Sequence, residues 1–245
     1  MDGLGGGVTA LRGASGSRVP AFAKHSSFAK VGARSVALAA STFFRAWCPL
    51  QPAGVANIPN GPVIICANHR SHLDGTAVGL ATGRPPANIA FFVAADYFFA
   101  PGAWLPRMPL PCRLIPVDRT HPLRGMADLD AGARQALADG SDTLVVFPEG
   151  TRAVGTTTRP FRRGAALLAA SLNIPLIPAR IDGTETALPR GRAMPTPCPI
   201  RVQFGSPLIP PRDGVSPAAQ SHWSKDATRV LEREIAAMGL GRHQG

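Results

Sequence analysis

Lysine is scarce in this basic chain: of its 26 lysines and arginines, only Lys24, Lys30 and Lys225 are lysines. Acids are also few, and the formal net charge is +11. An arginine-rich excess of positive charge favours anionic partners, whether nucleic acid, anionic lipid or a phosphorylated small substrate, and the guanidinium fork fits phosphate. Aromatics make up only 6% and Tyr97 is the sole tyrosine. That shortage removes the stacking platforms single-strand nucleic-acid binders use, and no basic helix shows groove-reading spacing. No nucleic-acid partner is expected. Cysteines number four (Cys48, Cys66, Cys112, Cys198), are widely separated and form no C-x-x-C pair. No Cys/His cluster has metal spacing, so no metal is expected, and the thiols read as reduced in a cytosolic setting. No run of 18 or more apolar residues exists to span a bilayer. The N-terminus lacks the apolar core and cleavage site of a signal peptide. Its Arg12, Arg18, Lys24, Lys30 and Arg34 against the single acid Asp2 do match the composition of an organellar transit peptide. No internal repeat is present.

What the chain does have is 45% hydrophobic residues over a length of 245, enough for a substantial core. Residues 1–20 are rich in Gly, Ser and Ala without apolar periodicity and read as a disordered tail; the final GRHQG reads as frayed. Residues 21–50 mix Phe22, Phe28, Val31, Val36, Leu38, Phe43, Phe44 and Trp47 with Lys24, Lys30, Arg34 and Arg45. This spacing predicts amphipathic helices, suited either to a membrane interface or to the protein's own core. From 51 to 240 the texture becomes a single α/β domain. Strands are predicted at 62–67, 89–94, 113–117, 143–147, 174–181 and 199–204, several of them unbroken apolar runs expected of strands covered on both faces. Helices are predicted at 72–82, 123–139, 162–172 and 217–238, and Pro/Gly-rich loops at 183–199 and 205–214. The alternation implies a mixed, largely parallel sheet flanked by helices, preceded by an N-terminal amphipathic helical segment.

Chemistry gathers at strand ends. The stretch Asn68-His69-Arg70-Ser71-His72-Leu73-Asp74 follows the first predicted strand. A carboxylate on one imidazole nitrogen fixes the tautomer and leaves the other free to take a proton from a hydroxyl. Taken alone, a His-x4-Asp spacing is more often a satisfied surface histidine; His72 is a competitor placed too near Asp74 to share its side. Phe147-Pro148-Glu149-Gly150-Thr151-Arg152 follows another strand: its glycine lets backbone approach an anion and Arg152 can fork onto phosphate. Arg113-Leu114-Ile115-Pro116-Val117-Asp118-Arg119 ends a third with an arginine.

In this order the blocks resemble the lysophosphatidate (1-acylglycerol-3-phosphate) acyltransferases of the glycerolipid acyltransferase superfamily, from about Gly61 to Pro210. The carrying residues are Asn68, His69, Ser71 and Asp74; Leu114 to Arg119; Phe147 to Arg152 unchanged; Phe161-Arg162-Arg163-Gly164-Ala165; and Ile174-Pro175-Leu176-Ile177-Pro178 with Gly183-Thr184. Where many members carry a lysine after the strand near 94, this chain reads Ala94-Ala95-Asp96-Tyr97, and Pro111-Cys112-Arg113 replaces a usual glycine. The resemblance implies a glycerol-3-phosphate acyltransferase-like fold. It implies His69 as base with Asp74 as its partner, and substrate binding by Asn68, Ser71, Arg119, Glu149, Gly150, Thr151 and Arg152. Helix-start amides would stabilise the oxyanion. Neither cofactor nor metal is implied; acyl-CoA or acyl-carrier protein is co-substrate. The implied partners are a lysophospholipid acceptor and membrane lipids, met at the cytoplasmic face by peripheral or one-leaflet attachment.

Overall fold

The structure, a computed structural model, describes residues 27–100, 102, 109–152, 159–211 and 216–240. The predicted tail 1–20, residues 21–26 of the amphipathic segment and the GRHQG end lie outside the described residues. Seven strands form one sheet: β1 (Leu50–Ala53), β2 (Val63–Ala67), β3 (Ile89–Ala94), β4 (Arg113–Val117), β5 (Thr143–Val146), β6 (Leu176–Asp182) and β7 (Ile200–Phe204). Their order is β1-β7-β6-β2-β5-β3-β4, and only the β6–β7 pair is antiparallel. The α-helices among the described residues are α1 (Ser27–Ala46), α2 (Asp74–Ala81), α3 (Ala95–Phe98), α4 (Pro122–Ala138), α5 (Gly164–Leu172), α6 (Thr184–Ala187) and α7 (Pro217–Leu240).

Strand β2 shows why the sheet needs two covering layers. All five of its residues are buried. Val63, Ile65 and Ala67 pack with Ala77, Val78 and Ala81 of α2 and Phe44 of α1. Ile64 and Cys66 face the opposite way, toward Ala133 and Ala136 of α4, Leu168 and Ala169 of α5, and Leu231 of α7. Alternation with period two sends successive side chains to opposite faces, so a central strand with helices on both sides must be apolar throughout.

Some features depart from the sequence reading. Strand β1, Leu-Gln-Pro-Ala, carries no apolar run; it is an edge strand beside β7 alone, where a proline is tolerated. It begins at Leu50, just ahead of the expected boundary at 51, and Phe44 and Cys48 of the preceding segment belong to the core. Helix α1 thus packs on the protein's own core along one side, while Val31 and Leu38 are 62% and 69% exposed on another. The loop expected over 183–199 also contains the single turn α6. No described helix is long and apolar enough to cross a membrane.

Candidate active site

Strands β2, β3, β4, β5 and β6 run parallel, so their carboxyl ends open on one edge of the sheet. Open α/β sheets place ligands there. The sequence blocks leave β2 at Asn68, β4 at Asp118, β5 at Phe147 and β6 at Gly183, and all four meet at this edge.

His69 Nδ1 lies 2.9 Å from Asp74 Oδ2. The imidazole is 23% exposed and the carboxylate wholly buried. Asp74 opens α2, where the helix dipole favours a negative charge. Its Oδ2 also accepts the backbone N–H groups of Arg70 (2.6 Å) and Ser71 (2.8 Å), closing the turn on the carboxylate. Those two amides are therefore engaged by Asp74 rather than aimed at an oxyanion. Its Oδ1 accepts the hydroxyl of Thr184, from β6's exit 110 residues away, at 2.5 Å. Gly183 makes that delivery possible. Its φ is +92°, and a Cβ there would sit 2.4 Å from the carbonyl oxygen of Pro199. With Nδ1 held by Asp74, Nε2 is the ring nitrogen left for a substrate. Phe147 stacks on the imidazole, ring centroids 4.2 Å apart, and fixes its plane.

Three of the residues expected to bind substrate turn toward the scaffold. Asn68 is buried and pairs both ways with the backbone of Ile181 on β6, accepting its N–H (2.7 Å) and donating to its carbonyl (2.8 Å). Ser71 donates to the carbonyl of Leu188 (2.9 Å). Glu149 is buried and accepts the backbone N–H of His69 at Oε1 (3.0 Å), while its Oε2 is buried without a partner among the described residues. Burial pushes the Glu149 carboxyl above its usual range, partly opposed by the His69 N–H. Gly150, with φ +72°, lets the chain turn back onto Phe147 and presents its carbonyl to Arg119 Nη1 at 2.9 Å. Arg119 also pairs with Asp96 through Nε (3.1 Å) and Nη2 (2.7 Å). Thr151 and Arg152 are half-buried, and Arg152 makes no hydrogen bond or ion pair with the described residues. His72 is exposed at the surface, stacks with Tyr97, and has its basicity lowered by partial desolvation of the ring and then by Arg152 and His69. No group of three or more potential metal ligands occurs among the described residues.

Each block is thus tied to another: the first to the third through Glu149, the second to the third through Arg119, and the first to the fourth through Asn68, Ser71 and Thr184. Thr184 was the residue sequence reasoning passed over; its only signal was the Gly-Thr closing the fourth block.

Over residues 50–182 the sequence matches the family model described as Acyltransferase. This chain belongs to the acyltransferase family. Among curated proteins, this acyltransferase is 30% identical over 94 residues to a 1-acyl-sn-glycerol-3-phosphate acyltransferase of Limnanthes alba, covering 38% of the chain and 33% of that protein. It is 30% identical over 135 residues to a 1-acyl-sn-glycerol-3-phosphate acyltransferase of Chlamydomonas reinhardtii, covering 55% and 38%. The chain thus spans 33% and 38% of the length of these two relatives. Its fold is that of the 1-acyl-sn-glycerophosphate acyltransferase PlsC of Thermotoga maritima, with a TM-score of 0.58, 24% identity, and 86% and 82% of the two chains covered. The mixed, largely parallel sheet expected from the sequence is the sheet of this fold.

Proposed function

We propose that this acyltransferase moves a fatty acyl group from a thioester, acyl-CoA or acyl-carrier protein, to the free hydroxyl of 1-acylglycerol 3-phosphate, giving phosphatidate for phospholipid synthesis. The observation that carries the reading is the partly exposed His69 backed by a fully buried Asp74 at the shared edge of five parallel strands. Asp74 holds the Nδ1 proton, so Nε2 takes the acceptor's hydroxyl proton as its oxygen attacks the thioester carbon. The tetrahedral intermediate collapses, the C–S bond breaks, and the thiolate leaves with the proton returned from His69. The acceptor brings its own nucleophile, so no acyl-enzyme is needed. Arg152, and Arg119 where its fork is available, suit the acceptor's phosphate by charge and planar geometry. Membrane association is part of this reading and is supported by the exposed Val31 and Leu38 of α1, two helical turns apart on one face, with Arg34 and Arg45 also exposed.

The test is an acceptor panel. Purified protein is given labelled acyl-CoA or acyl-carrier protein with 1-acylglycerol 3-phosphate, glycerol 3-phosphate, other lysophospholipids or an amino-acid lipid, and products are identified by mass. Phosphatidate as the dominant product is expected. Preference for another acceptor would replace this substrate, and no transfer to any would end the reading.

A further inference from the structure

Resting on the acceptor reading above, we infer that Asp96 is an affinity-setting residue for the acceptor: its carboxylate occupies the fork of Arg119 and must be displaced before that arginine can grip a phosphate.

The clamp is built by the sheet. Ala94 of β3 and Val117 of β4 are registered partners in a parallel pair. Asp96 and Arg119 each lie two residues beyond that pair, so the two strands deliver them to the same edge side by side. The pairing is bidentate, with Oδ1 on Nε at 3.1 Å and Oδ2 on Nη2 at 2.7 Å. This is the fork-to-oxyanion geometry a phosphate would use. Nη1 is in turn engaged by the Gly150 carbonyl. An arginine has five N–H donors; with three engaged, two remain, one on each Nη. The pair also carries no net charge toward a ligand. The hydrogen bond from Arg119 holds the Asp96 carboxyl below its usual range, so the clamp stays charged at neutral pH.

Displacement is feasible because the clamp is superficial. The Asp96 side chain is 52% exposed and sits on the short helix α3, and the Arg119 side chain is 30% exposed. Exposed ion pairs are weak, so the closed form holds only a modest advantage. A ligand that binds only the open form has its apparent affinity reduced by the fraction open. Asp96 therefore raises the concentration of phosphate-bearing acceptor the enzyme needs, without entering the chemical step.

The experiment compares wild type, Asp96→Asn, Arg119→Met and the double variant, with Asp226→Asn as a control. Asp226 is also a paired, half-exposed acid, but it lies on α7 beside His222 and Arg229. Two readouts are taken: KM and kcat for 1-acylglycerol 3-phosphate at saturating thioester, and calorimetric Kd for sn-glycerol 3-phosphate, which needs no turnover. Asp96→Asn should lower both KM and Kd about two- to fivefold, with the change falling on KM rather than kcat. The effect should vanish in the Arg119→Met background and be absent in Asp226→Asn. An unchanged or raised Kd in Asp96→Asn, or the same drop without Arg119, overturns the inference. Absence of wild-type transfer to 1-acylglycerol 3-phosphate would instead sink the acceptor reading, while the glycerol 3-phosphate titration would still report on the clamp.

Discussion

At the scale of single residues, the two groups proposed as base and partner were legible as a pair, and the groups that hold them were not. His69 and Asp74 stand out in sequence because their spacing recurs with the other blocks in order. Thr184 does not, since a hydroxyl 110 residues away reveals its partner only after β6 is laid beside β2. The roles of Asn68, Ser71 and Glu149 were hidden for the same reason: each is a polar side chain in a motif, and only the fold shows that it faces the scaffold. Thr184 donates to the wholly buried Asp74 carboxylate, a charge-assisted bond of the kind worth about 1.5–3 kcal/mol. Thr184→Val leaves Oδ1 unpaired and the imidazole less firmly placed. It should lower kcat about tenfold or more, a loss of at least ~1.4 kcal/mol, with little change in KM. Thr184→Ser, which keeps the donor, should restore most of the rate. An equal loss in the serine variant would show that the methyl group's packing matters instead.

At the scale of elements, strands buried on both faces announced themselves as apolar runs, and helices of eight or more residues were expected from the sequence. What escaped were pieces too short or too polar to carry a period: the edge strand β1 and the single turns α3 and α6. Both turns nonetheless carry site residues, Asp96 and Thr184. Small residues on the helices reflect how closely they lie on the sheet. A Cβ at Gly132 of α4 would come within 2.2 Å of Ile115 Cγ2, and Ile115 is fully buried. Alanine favours a helix interior over glycine by about 1 kcal/mol, but overpacking a filled core costs about 1–3 kcal/mol. With a branched carbon so near and no room to retreat, the clash should win. Gly132→Ala is expected to lower the urea midpoint at unchanged slope, by about 1–2 kcal/mol net; a raised midpoint would show that α4 can lift from the sheet.

At the scale of the molecule, the parallel strands set the site's location and α1 offers the open face proposed above to meet lipid. Composition alone left α1 divided between core and membrane. The structure gives it a core side through Phe44 and an open side through Val31 and Leu38. Replacing both open residues, Val31→Glu with Leu38→Glu, should reduce flotation with anionic vesicles and leave the thermal midpoint within a few degrees, because neither side chain packs in the core. Unchanged flotation would place the lipid contact elsewhere. The proposed reaction depends on the imidazole that Asp74 holds at the mouth of the sheet. Its most direct test is acyl transfer to 1-acylglycerol 3-phosphate by purified His69→Ala protein, with circular dichroism matching the wild type. A fall in kcat of about 10²- to 10⁴-fold is expected from loss of the general base; turnover near the wild-type rate would contradict it.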